Sequence, residues 1–174
     1  INCGEKYLKE KSIENPKVEI ELFLQHLLKC KRIDLYLQFE TIVKPESLAI
    51  LKKWITRRIN NEPIQYILGY SEFYGRPFIV NKNVLIPRPD TELLIREAIK
   101  FAKHKKDLSI LDIGTGSGCI LLTLVKELKN LRGAGVDVSK KCIEISKINA
   151  DKLKLSSRVK FYKSNIDATI TVSY

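Results

Sequence analysis

The chain has 174 residues, a net charge of +11 and 44 % hydrophobic residues, a size and composition that fit one domain or two small ones and exclude a disordered or fibrous chain. Its apolar runs stop far short of the roughly 20 residues that cross a bilayer. We expect no secretory signal, because residue 1 is not followed by a charged stretch, an apolar segment and a small-residue cleavage site. The chain has four cysteines, none of them in a CxxC pair, and only two histidines. This predicts free thiols and no metal site. We therefore expect a cytoplasmic protein with no membrane association.

Helical periodicity extends from the N-terminus to about residue 68. Residues 16–29 and 45–60 repeat apolar side chains at spacings of three and four, and a shorter helical run covers residues 33–39. No strand-like alternation interrupts these segments. Residues 1–70 are therefore predicted to form a compact helical bundle.

The pattern changes over residues 71–89, which we expect to link the two halves of the chain. Aromatic and β-branched residues flank a Gly75–Pro77 turn within residues 73–80, and a second apolar run follows at residues 84–86. This pattern predicts a β-hairpin or two short strands.

Helical and strand patterns alternate from Asp90 onward. A helix with Asp90 or Thr91 as its N-cap is predicted first, and a buried strand follows at residues 108–113. The later predicted elements are a helix at 117–129, a strand at 133–138, a helix at 140–155 and a strand at 158–162. Alternation at this spacing indicates βαβ units and an α/β domain with a parallel sheet over residues 90–174.

A glycine-rich turn joins the first predicted strand of this region to its helix. The segment Asp112-Ile-Gly-Thr-Gly-Ser-Gly118 spaces its glycines as G-x-G-x-G, whereas the dinucleotide fingerprint is G-x-G-x-x-G. The backbone there can approach a ligand closely, and the helix N-terminus offers free N–H groups. Asp112 suits the cationic end of a ligand and would repel a pyrophosphate.

A second acidic residue, Asp137, ends the next predicted strand. A carboxylate at this place can accept hydrogen bonds from both hydroxyls of a ribose, so turn and acid together indicate a pocket for an adenosine-containing ligand. The alternative is purely structural: the glycines make a tight turn and Asp137 caps the helix that begins near Ser139.

These motifs resemble those of a known enzyme family. The glycine-rich segment followed by Val136-Asp137 is similar to motifs I and II of class I S-adenosylmethionine-dependent methyltransferases. Upstream, Glu-Pro-Ile-Gln-Tyr-Ile-Leu-Gly69, Glu-Phe-Tyr-Gly75 and Leu-Ile-Pro-Arg-Pro-Asp-Thr-Glu92 resemble the signature of the HemK-type protein glutamine methyltransferases. Asn149-Ala150 also matches the family's helix after motif II, and the resemblance covers about residues 16–166.

The resemblance implies a helical substrate-recognition domain, a hairpin linker and a Rossmann-like domain that binds S-adenosyl-L-methionine. It implies methyl transfer to a glutamine amide nitrogen in the Gly-Gly-Gln loop of peptide chain release factors, by a monomeric enzyme. The cofactor-binding residues that it implies are Asp112, Gly114, Thr115, Gly116, Ser117, Gly118, Asp137, Val138, Asn165 and Ile166.

The chain departs from the family pattern at two places. The catalytic Asn-Pro-Pro-Tyr motif does not occur in the 174 residues, so we assign no catalytic residue and expect the motif after Tyr174. The family's acidic adenine contact is replaced by Asn165, whose carbonyl can accept the same hydrogen bond, with Ile166 covering the adenine face. Arg88 and Pro89 either shape the methionine or substrate side of the pocket or form a rigid link between the domains.

Other functions remain open on the sequence alone. They are a glutamine methyltransferase for a ribosomal protein, a nicotinamide-dependent oxidoreductase, which the glycine spacing disfavours, and a non-catalytic nucleotide-binding module. Adenine-N6 nucleic-acid methyltransferases share the Asn-Pro-Pro-Tyr motif, but the Pro-Arg-Pro-Asp run argues against them.

The positive charge lies mainly in the second half of the chain. Residues 76–174 contain 19 basic and 10 acidic side chains, against 12 and 10 in residues 1–75. This excess either attracts RNA or a ribosomal factor or forms a solvated lysine-rich surface. Since no basic cluster is interleaved with aromatic residues, we favour the surface and expect no direct nucleic-acid substrate. The absence of Met and the Ile at position 1 indicate a piece of a longer protein.

Overall fold

The computed structural model describes residues 1–37, 42–103, 105 and 108–165. Contacts divide the chain into two compact units, Ile1–Leu68 and Gly69–Tyr174. The first unit is helical and the second combines helices with two sheets, which confirms the predicted fold class. The hairpin segment falls within the second unit, and the assignment of separate roles to residues 1–70, 71–89 and 90–174 stays a prediction.

The described part of the first unit consists of helices joined by short connections. They are α1 (Asn2–Glu10), α2 (Pro16–Leu28), α3 (Asp34–Leu37), α4 (Pro45–Ile59) and α5 (Ile64–Leu68). Pro16 and Pro45 lie in the first turns of their helices, where the missing N–H costs no intrahelical hydrogen bond. The helix predicted over 33–39 begins at Asp34 in the structure, and residues 38 and 39 lie outside the described part of the chain.

Apolar side chains from several helices form the core of this unit. Its buried members are Leu8, Ile13, Ile20, Phe23, Leu24 and Ile67. The buried Glu21 lies beside them on α2, and it accepts hydrogen bonds from the Tyr36 hydroxyl and, at 2.7 Å, from Arg32 Nε. The Tyr36 hydrogen bond lowers the pKa of Glu21 against the opposing effect of burial. A charged side chain is therefore accommodated inside the bundle because its oxygens are paired.

The second unit begins with a β-hairpin, β1 (Tyr70–Phe73) and β2 (Arg76–Ile79), whose strands are antiparallel. Its turn residues, Tyr74 and Gly75, both have positive φ angles, as tight hairpin turns require. The strand considered at residues 84–86 does not form in the described structure. The Val84 N–H instead donates to the Asn81 carbonyl, so a turn takes the place of a strand.

The remaining described elements of the second unit alternate between helix and strand. They are α6 (Thr91–Ala102), β3 (Ser109–Ile113), α7 (Cys119–Glu127), β4 (Arg132–Asp137), α8 (Lys140–Lys152) and β5 (Val159–Lys163). The three strands pair in parallel in the order β3-β4-β5, as the sequence predicted. Asp90 precedes α6, but its side chain accepts no capping hydrogen bond.

The core of the second unit lies between the sheet, the helices and the hairpin. It includes Phe73 and Phe78 from the hairpin together with Ile95, Leu121, Leu122 and Phe161. The prediction that strand 108–113 is buried is wrong for the described structure: Leu111 is 39 % exposed and Ile113 is 52 % exposed. Within the described residues β3 pairs only with β4, so its other edge has no described partner.

Candidate cofactor site

The glycine-rich turn lies between β3 and α7 and is formed by residues 114–118. Gly114, Gly116 and Gly118 have φ angles of 75°, 55° and 79°, which side chains rarely adopt. The N–H groups of Gly114 and Thr115 both donate to the Val136 carbonyl, at 2.9 and 3.0 Å, and these bonds attach the turn to β4. A Cβ on Gly114 would meet nothing within 4 Å. The turn therefore leaves open space beside its backbone, as the close approach of a ligand requires.

Gly118, at the N-terminus of α7, has no such space. A Cβ at this position would lie 3.1 Å from Leu122 Cδ1 and 3.2 Å from Ser146 Cβ. The start of α7 can therefore pack closely against α8 because residue 118 has no side chain.

Asp112 lies near the end of β3, below the turn. Its Oδ2 accepts a hydrogen bond of 2.7 Å from the Thr115 hydroxyl. Burial raises the pKa of Asp112, the negative charge of Asp137 raises it further, and the Thr115 hydrogen bond opposes the rise. Two carboxylates therefore face this part of the site, which favours a cationic ligand group and disfavours an anionic one.

Asp137 is the last residue of β4 and holds the turn and the next helix together. Its Oδ2 accepts from the Gly116 N–H at 3.0 Å, and its Oδ1 accepts from the Ser139 N–H at 2.9 Å. Asp137 thus has a structural role, but it is not the helix cap considered from the sequence, because the N-cap of α8 is Ser139, whose hydroxyl accepts from the Cys142 N–H. A carboxylate oxygen has more than one lone pair, so these bonds leave acceptor capacity for ribose hydroxyls.

The structure joins some predicted site residues and leaves others apart. Two hydrogen bonds link predicted site residues: Thr115 donates to Asp112, and Gly116 donates to Asp137. The buried Ser117 and Gly118 complete the turn beside them. Val138 is 57 % exposed just beyond Asp137.

Among the other predicted site residues, Asn165, Arg88 and Pro89 take no part in these two hydrogen bonds. Asn165 is exposed, and its carbonyl accepts from the Ser164 hydroxyl. Ile166 lies outside the described residues. Arg88 and Pro89 are exposed and their carbonyls accept from the first N–H groups of α6, and both roles considered for them, on the substrate side of the pocket or as a rigid link between the domains, stay predictions.

Two residues near the site have features that periodicity and motif spacing did not reveal. Burial raises the pKa of the Cys119 thiol, at the start of α7, to about 11. The side chain of Asn149 is buried in α8 and donates to the Ser117 carbonyl at 2.9 Å. The sequence signal for Asn149 was its match to the family's helix, which gave no contact partner.

Comparisons with known proteins cover both units. A family profile described as PrmC N-terminal domain matches residues 1–69, and one described as methyltransferase domain matches residues 104–174. The release factor glutamine methyltransferase of Geobacter sulfurreducens is 42 % identical over 146 residues, 84 % of this chain and 51 % of the relative. That of Koribacter versatilis is 38 % identical over 165 residues, 95 % of this chain and 58 % of the relative. These matches support the resemblance to the HemK-type protein glutamine methyltransferases.

The chain spans about half the length of the curated relatives it matches. Among solved structures, a tRNA (uracil-54, C5)-methyltransferase of Pyrococcus abyssi aligns with a TM-score of 0.47 and 16 % identity, over 60 % of this chain and 26 % of that one. In the part of the chain that the structure describes, no helix is long and apolar enough to span a membrane, and no group of three or more His, Cys, Asp or Glu residues is placed to hold a metal.

Proposed function

We propose that the protein transfers a methyl group from S-adenosyl-L-methionine to the side-chain amide nitrogen of a glutamine in the Gly-Gly-Gln loop of a release factor. The observation that carries the proposal is the match of both units to relatives named release factor glutamine methyltransferase. The names of these relatives favour a release factor over a ribosomal protein as the substrate. The methyltransferase-domain match argues against a nicotinamide-dependent oxidoreductase.

The geometry of the turn supports S-adenosylmethionine as the cofactor. The open space beside Gly114 admits a ligand against the backbone. Asp137 would hold the ribose hydroxyls with the acceptor capacity that its two backbone bonds leave free, and Asp112 would attract the cationic end of the ligand. When bound, the cofactor supplies an activated methyl group on a sulfonium.

The acceptor amide is a poor nucleophile because its lone pair is delocalised into the carbonyl. Transfer therefore depends on holding the amide N–H groups so that the nitrogen points at the methyl group, which is catalysis by orientation and local electrostatics. The family performs this step with Asn-Pro-Pro-Tyr, so the contribution proposed for residues 1–174 is cofactor binding and substrate recognition.

Calorimetry with this chain tests the cofactor. S-adenosylhomocysteine, the demethylated product, is expected to bind more tightly than NAD. Preferred binding of NAD would contradict the proposal.

A methyl-transfer assay tests the substrate. The gene product that carries this chain is incubated with radiolabelled S-adenosylmethionine and an intact release factor, a release factor with the loop glutamine replaced by alanine, or a ribosomal protein. Label is expected only in the first. Equal labelling of the first two would remove the loop glutamine as the acceptor, and labelling of the ribosomal protein alone would favour the alternative substrate.

We further infer that the helical unit recognises the folded substrate. A single glutamine amide is too small to be selected among the many glutamines of a cell, so remote binding energy must supply selectivity. Ile33 and Leu37, one helical turn apart, are 59 % and 71 % exposed in this unit and offer an apolar contact.

Substitution of the exposed pair tests the recognition proposal. Ile33→Asp with Leu37→Asp should lower methylation of an intact release factor by tenfold or more and leave methylation of a short glutamine peptide unchanged. The control is Ile148→Asp, on the exposed face of α8. An equal loss on both substrates in a folded variant would assign Ile33 and Leu37 a structural role only.

We also propose a monomeric, cytoplasmic enzyme that acts on protein without a direct nucleic-acid contact. The absence of a membrane-spanning helix among the described residues is compatible with this proposal. Light scattering at micromolar concentration should give one protomer, and added RNA should not compete with the release factor at physiological salt.

A further inference from the structure

The side chain of Asn149 has three hydrogen bonds, and none of them is to its own helix. Asn149 Oδ1 accepts from the Ile79 N–H at 2.7 Å, and Nδ2 donates to the Ile79 carbonyl at 3.1 Å and to the Ser117 carbonyl at 2.9 Å. The side chain is 1 % exposed. Both amide hydrogens and the amide oxygen are thus used in contacts with two segments distant in sequence.

On the hairpin side, Asn149 takes the place of a neighbouring strand. The Val80 N–H donates to the Gly69 carbonyl, which places that pair among the hydrogen-bonded pairs of the hairpin. Because hydrogen-bonded pairs alternate in an antiparallel ladder, both polar backbone groups of Ile79 point away from β1. The Asn149 amide pairs with both of them, as the backbone of a third strand would.

On the turn side, Asn149 fixes one peptide plane of the glycine-rich segment. The Ser117 carbonyl accepts from Asn149, and the Gly118 N–H of the same peptide donates to the Thr115 carbonyl at 2.8 Å. This peptide joins Ser117 to Gly118, and Gly118 has a φ of 79° and little intrinsic preference for one backbone conformation. Its orientation is therefore set by contacts, and Asn149 is one of the two.

A second side chain on the same face of α8 also contacts the chain near the hairpin. Cys142, two helical turns before Asn149, donates from Sγ to the Asn83 carbonyl at 3.1 Å. Asn83 follows the hairpin and precedes the segment that contains Arg88 and Pro89. One face of α8 therefore holds the end of β2 and the chain that leaves it.

From these contacts we propose that Asn149 is a positioning residue that couples the glycine-rich turn to β2 of the hairpin, so that cofactor binding at the turn and the order of β2 depend on each other. The inference rests on the proposed function in one respect, the identity of the ligand that occupies the turn. A ligand that holds the Ser117–Gly118 peptide in one orientation also favours the orientation of the Asn149 side-chain amide that pairs with Ile79. Asn149 itself need not contact the ligand.

The test uses two variants and a matched control. Asn149→Asp keeps an acceptor for the Ile79 N–H but replaces both donors by an oxygen facing two carbonyls, and Asn149→Leu removes all three hydrogen bonds at similar volume. The control is Ile143→Val or Ile143→Ala, whichever matches the thermal midpoint of Asn149→Asp. Ile143 is buried in the core on the same helix.

Two measurements are made at a temperature where each protein is more than 95 % folded. The first is the Kd for S-adenosylhomocysteine by calorimetry, and the second is hydrogen exchange at the Ile79 amide with and without that ligand. The ligand should slow Ile79 exchange in the wild type and in the Ile143 control. In both Asn149 variants the Kd should rise at least tenfold and the slowing should disappear, whereas the control Kd should stay within threefold of wild type.

The proposal is overturned if an Asn149 variant matches the control in Kd, or if the ligand slows Ile79 exchange equally in the Asn149 variants and the wild type. Should the variants fail to fold, the wild type alone decides, since ligand binding without any change at Ile79 rules out the coupling. That outcome leaves the proposed function intact. A wild type that binds no S-adenosylhomocysteine contradicts the proposed function, and this inference fails with it.

Discussion

Replacement of Asp137 should affect both stability and cofactor binding, because its carboxylate has a structural task before any ligand arrives. Oδ2 holds the Gly116 N–H and Oδ1 holds the Ser139 N–H, at 3.0 and 2.9 Å. Asp137→Ala removes both acceptors at once, and the turn and the start of α8 each lose a contact. A role confined to the ribose would leave the free energy of unfolding unchanged.

The size of each effect follows from these bonds. A hydrogen bond to a charged group contributes about 1.5–3 kcal/mol. Asp137 is only partly buried, so water can hydrogen-bond to the N–H groups that the substitution leaves free and offset part of the loss. We therefore expect the free energy of unfolding to fall by about 2 kcal/mol. Loss of the ribose hydrogen bonds should weaken S-adenosylhomocysteine binding by a further ~1.5–3 kcal/mol, or about 10- to 150-fold in Kd. Asp137→Asn keeps one acceptor oxygen, so its stability loss should be smaller.

Urea unfolding and calorimetry measure the two effects separately. The control is Ser139→Ala, which removes the N-cap hydroxyl that accepts from the Cys142 N–H at 3.4 Å but keeps Asp137. It should cost about 1 kcal/mol of stability and leave the Kd within threefold of wild type. A change in unfolding free energy below about 0.5 kcal/mol for Asp137→Ala would refute the anchoring argument. Unchanged affinity in the folded variant would refute the ribose role.

Three further predictions concern the same site. Because the pKa of Asp112 is raised in the folded state, its contribution to stability falls as pH rises from the ordinary value near 4 through the raised value. Urea titrations should therefore show the unfolding free energy of Asp112→Asn rising relative to that of wild type across this window, by at most about 1.4 kcal/mol for each pH unit. Above the window the difference should stay constant. A pKa of about 11 leaves Cys119 protonated at pH 8, so mass spectrometry should find iodoacetamide on the exposed Cys3 first, with the Cys119 rate rising about tenfold per pH unit up to pH 10. Gly118→Ala should lower the free energy of unfolding in urea by about 2–4 kcal/mol, because its Cβ adds crowding to a strained φ of 79°. Gly116→Ala should lower it by about 1–2 kcal/mol, because the nearest atom to its Cβ is 3.9 Å away. Equal losses would contradict the packing argument.

Local pattern was sufficient for the order of the elements and for the position of the candidate site. Apolar spacings of three and four predicted α2 and α4, and strand–helix alternation predicted the parallel sheet. The glycine spacing and the acid after the next strand placed the turn and Asp137 at the same sheet edge. The elements depend on residues a few positions apart, whose geometry follows from the helix and strand repeats themselves, and the shared edge follows because the carboxyl ends of neighbouring parallel strands meet there.

The tertiary structure decided which distant groups meet, and it corrected the sequence where pairing partners matter. Residues 84–86 have strand-like composition, yet the hairpin closes between Tyr70 and Ile79 because a two-residue turn with positive φ lies between its strands. The buried Glu21 pairs with groups 11 and 15 residues away, and Asn149 meets Ile79 across 70 residues. A polar side chain carries no local signal of such a partner, because its hydrogen bonds are selected only when folding excludes water and leaves buried groups to satisfy one another.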